Sequence, residues 1–303
     1  MKLLGLGCGR RLGNSEILLK EALMAAEETG GIDGEYIHLH DLKIKFCTGC
    51  ESCTMSLSKG GSGECVIKTD DMGFLKQKFS ECDGLITSAP VFELRPPGIY
   101  CTMNDRFLGF GPQYLMDVFK RPKRAGGVIS VGGSDWVQLA LPQMNLAMFM
   151  LNFKVVDQIQ EMWTGRPGHS LLHDDMLERA QVLGRNVADA MKKPPEEMKY
   201  LGEDPGMCPY CHGNLLLSRG EHVVECPICA IRGELKADGP ELRVDWNEED
   251  IRMIKWEPRG MGEHFQHIKE RHELFYTKND GIKQKLEKYK AYKTYSKPTR
   301  GPE

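Results

Sequence analysis

The 303-residue sequence contains no apolar run approaching the roughly 18 residues of a membrane-spanning helix. Its opening, MKLLGLGCGRR, has only a few consecutive apolar positions, too few for the core of a secretory signal. An excess of one charge is also missing. The 40 Lys and Arg stand against 43 Asp and Glu, a net of −3, which gives no general electrostatic reason to bind nucleic acid. Walker and dinucleotide-fingerprint loops are absent, and no internal repeat exceeds a pair of cysteine knuckles. These absences argue against membrane, export and polyanion roles and imply a soluble cytoplasmic protein. With 41 % hydrophobic and 27 % charged residues the chain is globular, and its length suggests two domains.

Cysteine, by contrast, is plentiful. Eleven cysteines in a compartment that keeps thiols reduced read as metal ligands or redox groups before disulfides. Eight of them fall into two groups of four. Cys82 and Cys101 read as ordinary buried small residues.

Hydrophobic patterning organises the first two thirds of the chain. Residues 2–8, 35–42, 84–92, 125–133 and 155–163 read as strands, and 15–30, 70–83, 136–153 and 174–193 as helices. The 136–153 helix is expected to start or break near Pro142. Strands alternating with helices, with glycine-rich strand exits, predict a doubly wound parallel sheet covered on both faces. Ligands of such sheets sit beyond the carboxyl ends of the strands, which here gathers residues 8–16, 90–95 and 132–137. A proline- and charge-rich linker, KKPPEEMKYLGEDPG, marks a boundary. The expected division is an α/β domain over 1–195 with a cysteine-rich loop at 46–66, a small module over 204–240, and a charged, largely helical tail over 241–303.

GLGCGRRLGNSEIL places glycines, Arg10, Asn14 and Ser15 between a strand and a helix. Backbone N–H groups there, with the positive end of the helix dipole, suit a phosphate. The order GRRLGNSE, CTGCESC, CVIKTDDM, SAPVF, NDRF, ISVGG resembles the NADPH-dependent FMN reductase-like branch of the flavodoxin fold, and within it the iron–sulfur flavoproteins. The resemblance covers residues 1–192. It implies that Cys8, Arg10, Asn14, Ser15 and Glu16 wrap the FMN phosphate. It further implies that Pro90, Val91, Phe92 and Glu93 line the flavin ring, with Gly132, Gly133 and Ser134 at its other edge. Cys8 and Gly9 replace the family's serine and proline, Phe92 replaces a tyrosine, and ELRPPGIY lengthens the loop after the third strand. Trp136, without a family counterpart, reads as a core residue, with stacking near the ring as its other role.

Cys47, Cys50, Cys53 and Cys65 form C-x2-C-x2-C followed by an 11-residue gap. Thiolate quartets suit iron–sulfur clusters and zinc alike, and the tight triple spacing favours a cubane. The resemblance implies a [4Fe–4S] cluster beside FMN; zinc and an empty redox-thiol loop are the alternatives. Cys208, Cys211, Cys226 and Cys229 form two CPxC knuckles separated by 14 residues, a spacing that wraps one metal tetrahedrally. This looks like a structural zinc ribbon; iron is the alternative. From Ile251 onward 13 Lys or Arg face 7 Asp or Glu, read as a solvated helix lying on the protein or a partner subunit. His264 and His267 fit such a helix. His169 and His173 are considered as proton donors, but no residue is assigned as general acid.

The expected function is an FMN-dependent oxidoreductase carrying a [4Fe–4S] cluster, which couples one-electron donors to two-electron flavin chemistry on an unidentified substrate. Ferredoxin or NAD(P)H is the expected redox partner, a small molecule or protein the acceptor, and a homo-oligomer the expected assembly. The competing reading is a metal-organised regulatory protein whose flavodoxin-like domain senses redox state.

Overall fold

Residues 1–277 and 281–292 are described by a computed structural model of the chain. Strands β1 (Lys2–Gly7), β2 (Asp33–His38), β3 (Gly84–Pro90), β4 (Arg124–Val131) and β5 (Phe153–Glu161) form one sheet in the order β2-β1-β3-β4-β5. Every pairing in it is parallel. The helices between them are α1 (Asn14–Glu28), α2 (Ser52–Ser58), α3 (Met72–Glu81), α4 (Gly98–Asp105), α5 (Pro112–Lys120), α6 (Ala140–Met150) and α7 (Asp174–Met191). This is the doubly wound, flavodoxin-like architecture that the alternating pattern predicts.

Both faces of the sheet are buried because neighbouring strand residues point to opposite sides. Leu3, Ile86 and Ile129 pack under Leu18, Leu19 and Ala22 of α1 and Leu183 and Val187 of α7. Leu4, Leu6, Leu85 and Val128 face the other core, with Phe79 of α3, Tyr100 of α4 and Met148 of α6. Helices α1 and α7 touch at backbone level: a Cβ on Gly184 would sit 1.9 Å from the Ala22 carbonyl oxygen. Only glycine fits that crossing.

Several elements differ from the sequence expectation. Helix α6 begins at Ala140, near Pro142 as expected, after a turn over Asp135–Gln138 in which the Trp136 N–H donates to Ser134 Oγ at 3.3 Å. Pro142 then falls in the first turn, where its missing N–H is not needed. Trp136 is exposed, which corrects the core reading. Helices α2, α4 and α5 lie outside the four expected helical segments. Cys82 is buried as expected, whereas Cys101 is half-buried and accepts from Arg95 Nη1 at 3.3 Å.

Beyond the linker, β6 (Leu217–Ser218), β7 (Val223–Glu225), β8 (Arg232–Asp238) and β9 (Glu241–Trp246) form an antiparallel sheet that continues past residue 240 to Trp246. Helices α8 (Glu248–Arg252), α9 (Pro258–Thr277) and α10 (Ile282–Lys290) follow. The small sheet does not stand apart: its four cysteines and Ile231 belong to the same buried cluster as Phe149 and Met144. Phe149 lies 5.3 Å from the Tyr210 ring and 5.9 Å from the Trp256 ring. Helix α9 packs Met261 and Phe265 onto Leu57 of α2 and onto Leu115 and Phe119 of α5, while His264, His267 and Phe275 face outward. The end of the basic tail, 293–303, lies outside the described residues. No described helix is long and apolar enough to cross a membrane.

Candidate functional site

The loop after β1 is a cradle of unspent backbone donors. Gly13, the residue before α1, is extended and supplies no side-chain cap, so the first N–H groups of the helix, Asn14 and Ser15, lack partners among the described residues. Those of Arg10 and Arg11 are likewise without a partner among the described residues. Other residues shape the loop. Glu16 accepts from the Leu12 N–H at 2.9 Å and from Lys20 Nζ at 2.6 Å. Burial pushes its carboxyl up, but the Lys20 and Leu12 hydrogen bonds outweigh that and the net shift is downward. The Glu16 side chain is therefore an anion that holds the loop.

Asn14 has a similar supporting part. Its Nδ2 donates to the carbonyls of Thr164 and Arg166, both at 2.8 Å, and its Oδ1 accepts from the Ser170 N–H at 3.1 Å. The side chain thus staples the β5–α7 connection to the phosphate loop, leaving its backbone N–H for a ligand. Cys8 is buried with its thiol toward the Ser88 carbonyl at 4.0 Å, and burial keeps it protonated. Ser15 Oγ donates to the Cys8 carbonyl at 3.3 Å. Arg10 is exposed, a cation beside the free N–H groups. Gly9 has φ +120°, and a Cβ there would meet Pro90 at 2.9 Å. The first and second loops are in van der Waals contact at that point.

Two further loops complete one edge of the sheet. After β3, Val91 N–H donates to the Val131 carbonyl at 2.9 Å, and Phe92 to Arg95 closes a tight turn with Glu93 and Leu94 both at positive φ. The Leu139 N–H donates to Leu94 O at 3.0 Å, tying this turn to the next loop. After β4, the Gly132 N–H donates to Glu161 O at 2.8 Å while its carbonyl accepts from both the N–H and Oγ1 of Thr164. Gly133 and Ser134 follow, open toward the same edge. A large apolar residue projects from every strand exit: Leu12, Phe46, Phe92, Trp136 and Trp163, each between 57 % and 76 % exposed. Such a rim is costly to leave bare in water unless something covers it.

The two cysteine quartets differ in form. Cys208, Cys211, Cys226 and Cys229 are buried with their sulfurs within 4.8 Å of one another. A tetrahedral S4 site with bonds of about 2.3 Å puts sulfurs about 3.8 Å apart, so the quartet fits one metal ion. Each knuckle turns on a residue at positive φ just after its second cysteine, His212 and Ala230. The turns close through His212 N–H to Cys208 O at 3.0 Å and Ala230 N–H to Cys226 O at 2.9 Å. Cys47 and Cys50 are exposed, Cys53 sits in α2, and Cys65 is half-buried. Among the described residues, only the second quartet gathers its ligand atoms as closely as one ion requires. The donor chemistry of the first still suits a larger inorganic group: Cys65 Sγ receives the Ile67 N–H at 3.4 Å and shares a small cavity with Arg106.

A separate cavity of about 560 Å³ lies between α6, β5 and the ribbon knuckles, lined by Leu141, Asn145, Glu161, Arg179, Tyr200 and His212 among others. His169 and His173 stand with their rings 5.1 Å apart on the stapled β5–α7 connection. Sequence reasoning gives no role to Thr164 or Ser170, and no local pattern marks them. Their importance comes from 150 residues of chain separation collapsing onto Asn14.

A parallel five-stranded sheet in the order 2-1-3-4-5, with an open loop at its carboxyl edge, is the flavodoxin-like fold. Residues 1–165 match the NADPH-dependent FMN reductase family, more than half the chain, and the protein belongs to that family. It is an oxidoreductase, with NAD(P)H as the family's redox partner. Over 293 residues it is 28 % identical to a flavone synthase of Aspergillus candidus, covering 89 % of both chains. An iron–sulfur flavoprotein of Archaeoglobus fulgidus is 30 % identical over 202 residues, covering 63 % of this chain and 81 % of that one. A solved flavone reductase superposes with a TM-score of 0.77 at 27 % identity, over 99 % of this chain and all of that one.

Proposed function

We propose that this protein is an NAD(P)H-linked FMN oxidoreductase acting on a planar, conjugated aromatic substrate of the flavone type, at a carbon–carbon bond next to a carbonyl. The carrying observation is the apolar rim. Five strand exits each present a large exposed hydrophobic residue, four of them aromatic rings, which suits a flat apolar molecule laid over the sheet edge. Two relatives named for flavone chemistry extend through the ribbon as well as the sheet domain.

In this reading the free N–H groups of Arg10, Arg11, Asn14 and Ser15 hold the FMN phosphate, assisted by the Arg10 charge. Bound FMN supplies hydride chemistry. The chain's own part is to place it: Pro90, Val91, Phe92 and Glu93 on one side, Gly132, Gly133 and Ser134 on the other, with Phe92, Trp136 and Trp163 excluding water from the substrate. Cys47, Cys50, Cys53 and Cys65 hold a [4Fe–4S] cluster that takes electrons singly. Cys208, Cys211, Cys226 and Cys229 hold zinc, which has no redox chemistry and serves the fold.

The test is anaerobic purification, metal and flavin analysis, and incubation of the loaded protein with NADPH and a flavone. A product two mass units heavier, with loss of the conjugated absorption band, is the expected result. Protein that binds FMN and oxidises NADPH but leaves every flavone intact overturns the substrate assignment and returns the sensing reading.

A further inference from the structure

Arg106 sits at the end of α4, and its side chain is almost wholly buried. Its guanidinium reaches both necks of the cysteine loop. Nη1 donates to the Lys45 carbonyl at 2.7 Å, two residues before Cys47, and Nη2 to the Ile67 carbonyl at 3.4 Å, two residues after Cys65. Nη1 also meets Asp70 Oδ2 at 2.6 Å, and that carboxylate accepts from the Lys45 N–H at 3.1 Å. Asp70 Oδ1 faces the Met72 N–H at 3.4 Å, which fixes the carboxylate to the start of α3. One buried ion pair therefore closes a loop of more than twenty residues at its base.

The same guanidinium and Cys65 line one small cavity, and among the described residues Arg106 Nε has no hydrogen-bond partner although it is sealed from solvent. A buried cationic donor left unpaired is costly, and a sulfur-rich anionic group beside it would relieve that cost. Cys65 is held from behind as well. Its N–H donates to Gly109 O at 2.8 Å, and a Cβ on Gly109 would lie 2.7 Å from the Cys65 Cβ.

We infer that Arg106, locked by Asp70, is a positioning residue for the inorganic cluster: it pre-sets Cys65 and both necks of the loop, and its N–H groups toward sulfur raise the cluster's reduction potential. Hydrogen bonds to cluster sulfurs are one of the protein's levers on potential. This inference rests on the cluster assignment made above. A cation that served only to bury Asp70 would have no reason to reach Cys65.

The experiment compares the wild-type chain with Arg106→Met and Arg106→Lys, each purified anaerobically, for iron and acid-labile sulfide per chain, FMN content and the midpoint potential of the iron signal. Arg106→Met is expected to hold iron about 10–100-fold less tightly against a chelator while keeping FMN, the range seen for outer-shell partners of metal ligands. Arg106→Lys keeps the charge but loses the fork; it is expected to retain iron at a lower potential. The FMN content reports that the sheet domain has folded. Both variants matching wild type in iron affinity and potential overturns the inference while leaving the cluster intact. A wild-type chain that binds FMN but takes up no iron or sulfide overturns the cluster assignment, and the inference with it.

Discussion

The ring of Tyr200, in the linker after α7, stacks on the ring of His212, in the first metal knuckle, with centroids 3.7 Å apart and planes 13° from parallel. Gln158 Nε2, from β5, donates to the His212 carbonyl at 3.1 Å, and Asn145 Nδ2, from α6, to the Cys211 carbonyl at 3.4 Å. The knuckle is thus bolted to the sheet domain through its backbone, and the metal site and the large core share one packing unit.

Metal removal should consequently be felt across the molecule. Structural zinc sites in small peptides bind with an apparent 10–16 kcal/mol or about that order, and much of it is folding free energy. Replacing Cys226 by Ser, or stripping the metal, is expected to release Tyr210 and Trp256 from Phe149. Near-ultraviolet circular dichroism and a lowered Tm report it. An unchanged aromatic signal in the stripped protein contradicts the shared-core account.

The Glu16 carboxylate predicts an acid limit. Its folded-state pKa lies below the ordinary 4.5 because of Lys20 and the Leu12 N–H, so the unfolded chain binds its proton first as pH falls. The stability it contributes is full above about 4.5 and disappears as pH drops through the lower folded value. Glu16→Gln should flatten this acid limb in urea unfolding between neutral pH and the lower carboxyl range, and weaken FMN at neutral pH by loosening Leu12.

Gly9→Ala should close the cradle. Its φ of +120° is strained for any side chain, and Pro90 stands 2.9 Å from the new Cβ. A backbone penalty of about 1–3 kcal/mol is expected, read as a weaker FMN Kd by fluorescence quenching with little change in secondary structure. An unaltered Kd argues that FMN does not sit at this loop.

Truncating the aromatic rim should separate substrate from cofactor. Trp136→Ala and Trp163→Ala are each expected to cost about 0.5–1.5 kcal/mol of aromatic stacking, appearing in KM for a flavone. FMN affinity should stay near wild type. Loss of FMN with no effect on KM reverses the assignment of these rings.

Arg179 binds Asp157 through Nη2 at 2.5 Å and Nη1 at 3.1 Å, and Asp157 is completely buried on β5. Asn186 Nδ2 adds a third hydrogen bond at 2.7 Å. Arg179→Met leaves that carboxylate uncompensated and should cost about 3–5 kcal/mol in urea unfolding. A loss under about 1 kcal/mol shows that the Asn186 hydrogen bond suffices.

The sequence by itself determined the layered α/β fold, because the central strands are apolar on both faces and alternate with helical segments, the pattern of a covered parallel sheet. It also determined the compact cysteine quartet that could hold one ion, since two CPxC knuckles bring four sulfurs together by local turn geometry. Tertiary structure decided the parts of Asn14 and Glu16, whose residue types suggest phosphate contacts but whose partners come from the β5–α7 connection and from the loop itself. It also decided that Trp136 belongs to an exposed rim and that Arg106 closes the cysteine loop. Long-range hydrogen bonds and burial depend on which loops meet at the sheet edge, and a pattern read along the chain carries no distance across it.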